Sequence, residues 1–168
     1  SAIKPKNLEV QDETQSKAEP KEEFDVLEEG LLAMIMKKPD LALDIRPEDE
    51  KFLSDKLTGL IKNVSLALNK IHENDKEIMA QLTSAAGPEL AMNLEFIYLK
   101  SQELWRDIED GELGDEFKKI LNQIKRRKIL ARMENLEFDI KSAEKSQNKE
   151  LLATLTAEFS KVSKQLLN

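Results

Sequence analysis

Apolar residues recur at helical spacing along most of this chain, and the clearest case lies in its last third, over residues 117–168. Two runs there repeat apolar side chains at alternating steps of four and three residues. The first run is Ile129, Met133, Leu136, Ile140 and Ala143, and the second is Leu152, Leu155, Phe159, Val162 and Leu166. Such spacing places each run in one narrow seam of an α-helix. Because the polar residues 145–149 separate them, the pattern predicts an antiparallel helical hairpin whose second helix is capped by Asn148.

The same periodicity predicts helices upstream of the hairpin. A first helix begins near Glu23 and ends at Pro39, since the residue before a proline disfavours helical dihedrals. Gly30 lies inside this helix, which suggests a close approach by another helix. Pro47 suits the first position of the next helix. The apolar positions after it predict one long helix, or two helices joined near Gly59.

The middle of the chain continues in the same way. Asn74 predicts the cap of a short helix, and Pro88 begins the next helix. Apolar positions carry that helix as far as residue 108. Gly111 and Gly114 are predicted to break it, and Asp115 is predicted to cap the long first helix of the hairpin.

These elements predict an all-α fold with three parts. Residues 1–22 hold Lys, Glu, Gln, Ser and two prolines with few apolar side chains, which predicts a flexible linker. Residues 23–112 form a helical bundle subdomain of five or six helices. Residues 113–168 form the long helix and the C-terminal helical hairpin subdomain. Within the bundle, Tyr98 and Trp105 are predicted to lie in the core.

Composition narrows the chemistry. The 168 residues include no cysteine and a single histidine, His72, so neither a zinc ribbon nor a His-based metal centre is expected. No Gly-rich phosphate loop or nucleophile elbow occurs. We therefore expect no catalysis and no cofactor in this piece. The start lacks Met and a signal-peptide pattern, which suggests a fragment of a longer protein.

Charge and hydropathy bear on location and partners. The net charge of −7 argues against general nucleic-acid binding, which depends on Lys and Arg. No apolar run approaches the roughly 20 residues needed to span a bilayer, so no membrane association is expected. The lack of cysteine permits a cytoplasmic location.

A basic run interrupts the long helix. Between Ile124 and Ile129 the apolar spacing is five residues, and this step rotates the apolar face towards a different neighbour. The residues that fill the step are Lys125, Arg126, Arg127 and Lys128. We predict a hinge there, where the helix kinks or changes partners. The run is either a solvated helix face or a contact for phosphates or an acidic partner.

The hairpin also predicts a docking surface. Phe138 points away from the seam of the first helix, where it has no partner within a two-helix arm. Exposed apolar groups rimmed by charge are typical of a surface that binds another protein. The alternatives are that Phe138 folds back on the bundle or is a tolerated surface residue. The predicted contact residues are Leu130, Glu134, Phe138, Lys141, Leu151, Glu158 and Leu167.

Two stretches resemble a known family. The run Leu31-Leu32-Ala33-Met34-Ile35-Met36-Lys37-Lys38-Pro39-Asp40-Leu41-Ala42 is similar to the opening helix of the C-terminal domain of bacterial DNA primases. Residues 124–167, with Ala143-Glu144-Lys145 entering the turn, look like that family's terminal hairpin. The resemblance covers residues 23–168 and its motifs are apolar patterns.

The resemblance implies that this domain docks a primase onto the hexameric replicative helicase, with the hairpin making the principal contacts. The parent protein would be a DNA-directed RNA polymerase that synthesises primers in the bacterial primosome. Its zinc-binding and catalytic modules would lie upstream, and nothing in this chain matches them. One alternative is the self-assembling N-terminal collar domain of the helicase itself. Another is a nucleic-acid-binding helical domain that uses the basic run.

Overall fold

The computed structural model describes residues 24–70, 75–85 and 87–167. These residues fold into helices and contain no strand, which confirms the all-α prediction. In chain order the elements are α1 (Val26–Lys37), a 3-10 helix (Pro39–Asp44), α2 (Pro47–Glu50), α3 (Asp55–Lys70), α4 (Asp75–Ala85), α5 (Pro88–Leu104), α6 (Asp110–Lys145), α7 (Lys149–Lys164) and a final 3-10 helix (Gln165–Leu167). The predicted linker over residues 1–22, His72 and Asn74 lie outside the described residues. No helix in the described part of the chain is long and apolar enough to cross a membrane.

The first helix begins close to its predicted position. Asp25 caps it, because its side chain accepts a hydrogen bond of 2.9 Å from the backbone N–H of Glu28. The helix ends at Lys37, ahead of Pro39, as the proline predicts.

The helix predicted to start at Pro47 is much shorter than expected. It ends after one turn at Glu50, and a new helix, α3, begins at Asp55 and passes through Gly59 without a break. Part of the reason lies in a distant residue. Glu28 is buried, and its Oε1 accepts a 2.7 Å hydrogen bond from the backbone N–H of Ser54. This contact between α1 and the chain just before α3 was not visible in the local pattern.

The predicted helix break at Gly111 and Gly114 was wrong. Helix α5 ends earlier, at Leu104, and α6 begins at Asp110 and includes both glycines. Glycine in a helix interior costs only about 1 kcal/mol relative to alanine. Leu113 and Phe117 are buried beside these glycines, and their burial offsets that cost.

Helix α1 is the centre of the bundle. Its six consecutive residues 31–36 are all buried, and it contacts α4, α5, α6 and the first 3-10 helix. The core continues into the first half of α6 through Leu113, Phe117, Leu121 and Ile124. The boundary predicted at residue 112 is therefore not a boundary in the packing. Tyr98 and Trp105 are half-buried against this core.

Candidate protein-docking site

Helix α6 packs against two different neighbours along its length. Its N-terminal half packs on α1 and the bundle core, and its C-terminal half packs on α7. The change falls between Ile124, in the bundle core, and Ile129, which is buried apart from that core. The helix is continuous through the step. The predicted change of partner is thus confirmed, and it is achieved by rotation of the apolar face within an unbroken helix.

The basic run at this step is only partly a solvated face. Lys125 is mostly buried, and its Nζ lies 2.6 Å from Oδ1 of Asp49. Arg126, Arg127 and Lys128 are all exposed, and Nη1 of Arg127 lies 3.7 Å from Oδ2 of Asp25. For Lys125 the expectation of a solvated residue is wrong, because it anchors α6 to the segment around α2. Bending of the helix at these four basic residues stays a prediction.

Asp49 is the buried end of that anchor. Its Oδ2 also accepts hydrogen bonds from the backbone N–H and the Nε of Arg46, at 3.4 and 3.3 Å. Burial on its own would raise the pKa of this carboxyl group. The hydrogen bonds from Lys125 and Arg46 outweigh burial and hold the pKa below its ordinary value of 3.8. Asp49 is therefore ionised at neutral pH and paired across two elements.

The turn of the hairpin has a defined geometry. Gln147 adopts a left-handed backbone conformation with φ of 55°. The backbone N–H of Asn148 donates to the carbonyl of Ala143 at 3.1 Å. The Asn148 side chain accepts from the N–H of Leu151 at 3.1 Å, so the predicted cap of α7 is confirmed. These bonds return the chain antiparallel to α6.

The two limbs meet along the predicted seam. On α6 the residues Ile129, Leu136 and Ala143 are buried. The five predicted seam residues of the second limb are each half-buried, four of them on α7 and Leu166 in the final 3-10 helix, and no α7 residue is fully buried. Arg132 of α6 forms an ion pair with Glu158 of α7 along one edge of the seam. The arm is therefore closed along one line and open on its outer faces.

The outer face of α6 carries a row of exposed side chains, which we call the outer row. It consists of Leu130, Glu134, Phe138 and Lys141. Phe138 is 74% exposed and Leu130 is 45% exposed. At 100° per residue, Phe138 lies about 180° from the seam. The expectation that Phe138 points outward is confirmed, and the alternative that it folds back on the bundle is wrong.

A shallow groove of about 410 Å³ continues the outer row towards the bundle. Its lining residues are Gln123, Arg126, Arg127, Leu130, Ala131 and Glu134. Two of the four residues of the basic run therefore share a surface with the apolar Leu130. This arrangement suits a partner that presents an apolar side chain beside acidic groups.

The three contact residues predicted after the turn do not join the outer row. Glu158 pairs with Arg132. Leu151 precedes Glu158 by seven residues, so the two lie on the same side of α7. Helical geometry places Arg132 and Leu130 on opposite sides of the α6 seam. Leu167, 86% exposed, lies in the final 3-10 helix, at the opposite end of α7 from Leu151. Leu151 and Glu158 therefore lie on the Arg132 side of the hairpin, and the outer row lies on the opposite side. The single surface expected from the sequence is corrected to the outer row alone.

One feature of the surface was missed from the sequence. Met92, Phe96 and Leu99 of α5 are exposed, although they recur at helical spacing. The steps of four and three between them were a usable signal. The signal was ambiguous because the core residues of α5 form a second apolar stripe with the same period. Periodicity alone does not show which of the two stripes is covered by the rest of the chain.

The described residues offer no group of three His, Cys, Asp or Glu side chains that could hold a metal ion. The surface feature that they do offer is the outer row of α6 with the groove beside it. The fold and this surface define an all-α protein with a helical bundle and a projecting hairpin arm. Comparisons with known protein families, with curated protein sequences and with solved structures find no match to this chain.

Proposed function

We propose that this chain is the helicase-interaction domain of a bacterial DNA primase, and that it docks the primase onto the hexameric replicative helicase through the outer row of α6. The carrying observation is that Phe138 is 74% exposed on the face of the hairpin opposite its seam. Aromatic side chains, phenylalanine included, are enriched in protein–protein interfaces. The family resemblance of residues 23–168 supplies the identity of the partner.

The remaining geometry supports an adaptor role. Helix α6 has 36 residues, which corresponds to about 54 Å of helix, so the outer row projects from the bundle on a long arm. The ion pair between Lys125 and Asp49 and the bundle core hold the base of that arm. An arm held at its base presents its contact residues at a lower entropic cost than a mobile segment.

In this role the domain works in the bacterial cytoplasm at the replication fork, as part of the primosome. It performs no chemistry itself and needs no cofactor. Tethering raises the effective concentration of the primase near unwound DNA, which couples primer synthesis by the parent polymerase to unwinding. The net charge of −7 is consistent with a partner that is protein rather than nucleic acid.

The test is calorimetric titration of the full chain into a purified bacterial replicative helicase. Phe138→Ala is expected to weaken binding by more than about tenfold, because truncation of an anchor residue typically costs 2 kcal/mol or more. Phe96→Ala is the matched control, since Phe96 is the same residue type, 62% exposed, on the bundle. Equal affinities for the wild type and both variants, or an equal loss in both variants, would reject the proposal.

A further inference from the structure

Helix α5 carries an apolar stripe on its outer surface, made of Met92, Phe96 and Leu99. These side chains are 70%, 62% and 66% exposed, and the steps of four and three residues place them within about 60° on one helix face. The core face of α5 lies on the opposite side, where Leu94 and Ile97 are buried. Within the described part of the chain, nothing covers this α5 stripe.

Charges of both signs border the α5 stripe. In heptad terms Phe96 and Leu99 occupy a and d positions, so Glu95 occupies g and Lys100 occupies e. Both residues are exposed. Lys100 Nζ lies 3.0 Å from Oε1 of Glu29 on α1 and 5.9 Å from the centre of the Phe96 ring. The lysine is therefore held beside the stripe.

The positions of Glu95 and Lys100 favour a partner helix with a particular arrangement of charges. In a parallel pair of helices, the g residue of one helix faces the e residue of the other, five positions further on. Glu95 and Lys100 have this separation and opposite charges. A uniformly basic or acidic helix would meet a like charge on one border, whereas a second copy of α5 meets an opposite charge on both.

We propose that the α5 stripe is a contact between two copies of this chain, which pack their α5 helices in parallel about a two-fold axis. Phe96 and Leu99 each lie against the same residue of the second copy. Glu95 of each copy faces Lys100 of the other. Such a contact is self-complementary, as a two-fold dimer requires.

The contact is short. Glu103 is the next residue on the same face, and in a parallel pair it meets its own counterpart, so the apolar contact ends there. Three side chains per copy bury less than the roughly 1,200 Å² typical of stable interfaces. We therefore expect a reversible dimer that forms in the micromolar to millimolar range of concentration.

The first test is sedimentation equilibrium of the full chain across that concentration range. The wild type is expected to show a monomer–dimer equilibrium, and Phe96→Glu is expected to raise the dissociation constant by at least about tenfold. Phe138→Glu is the matched control on the hairpin and is expected to leave the constant unchanged. Circular dichroism checks that the variants remain folded, which their exposed positions favour.

A charge exchange tests the orientation. Glu95→Lys places like charges opposite each other and weakens the dimer. Lys100→Glu added to it restores the opposite pairing and the association, provided that all variants are made in a Glu29→Gln background, because Lys100 is paired with Glu29 in its own chain. The proposal is overturned if the wild type stays monomeric at millimolar concentration. It is also overturned if Phe138→Glu, and not Phe96→Glu, raises the dissociation constant of the dimer. Failure of the second charge change to restore association would overturn the parallel arrangement. Dimerisation through Phe96 that appears only after residues 1–23 are deleted would also overturn the proposal, since that result would mean that the N-terminal segment occupies the stripe in the full chain. Helicase binding depends on Phe138 and dimerisation on Phe96, so the two proposals fail separately.

Discussion

The Nζ of Lys125 lies 2.6 Å from Oδ1 of Asp49, and this ion pair joins the base of the hairpin arm to the one-turn helix α2. The Asp49 side chain is 4% exposed and the Lys125 side chain is 18% exposed. The pair lies where α6 leaves the bundle core and begins to pack on α7. It therefore links the two parts of the fold at the point where they separate.

Lys125→Met tests the strength of this link. The substitution keeps most of the side-chain volume but leaves the buried carboxylate of Asp49 with Arg46 as its remaining ionic partner. We expect the free energy of unfolding to fall by about 2–3 kcal/mol, because a buried carboxylate that loses a charged hydrogen-bond donor is left only partly satisfied. Urea unfolding measures the change. Lys128→Met is the control, and its exposed position predicts a change within about 0.5 kcal/mol. An equal fall in the free energy of unfolding for both variants would show that the ion pair between Lys125 and Asp49 does not stabilise the fold.

Acid is expected to remove the contribution of Asp49. The pKa of this carboxyl group is lower in the folded chain than in the unfolded chain, since its hydrogen bonds to Lys125 and Arg46 outweigh the effect of burial. Its stabilisation is therefore complete well above the ordinary pKa of 3.8 and is lost as the pH falls through the folded value. Asp49→Asn should be clearly less stable than the wild type at about pH 6, and the difference should shrink at about pH 3. A difference that is independent of pH would contradict the assignment.

Gly30→Ala tests whether α1 needs a glycine where it faces α6. A methyl group at this position would lie 3.5 Å from Cδ1 of Ile120, an ordinary van der Waals contact. We expect the substitution to stabilise the chain by about 0.5–1 kcal/mol, because alanine favours the helix. The change is measured as a rise in the thermal midpoint. Gly114→Ala is the control, since no neighbouring atom lies within 4 Å there. Destabilisation by Gly30→Ala alone would mean that the close approach requires the glycine.

Gln147→Gly tests the turn of the hairpin. Gln147 has φ of 55°, a conformation that costs a residue with a Cβ atom about 1 kcal/mol and costs glycine little. We expect glycine to raise the free energy of unfolding by up to about 1 kcal/mol. Asn148→Ala should have the opposite sign, with a loss of about 1 kcal/mol from the missing cap. Thermal unfolding measures both variants, and a loss of stability on Gln147→Gly would contradict the observed turn.

The hairpin was predictable because its determinants are local. The seam from Ile129 to Ala143, the polar turn and the Asn148 cap all lie within a few residues of the groups they act on. The outward position of Phe138 followed from the same helical geometry. The helix boundaries near Glu50 and Leu104 were not predictable in this way. The break after Glu50 is accompanied by the hydrogen bond from the Ser54 N–H to Glu28, whose two partners are distant in the chain.

The sequence by itself determined the helical class, the hairpin and the outward face of Phe138, since each follows from the spacing of apolar residues on a helix. Only the tertiary structure decided which of two apolar stripes on α5 is covered. It also decided that Lys125 is buried against Asp49 rather than solvated. The physical reason is that periodicity defines the faces of a helix, whereas burial and ion pairing depend on which neighbour the packed chain places against each face.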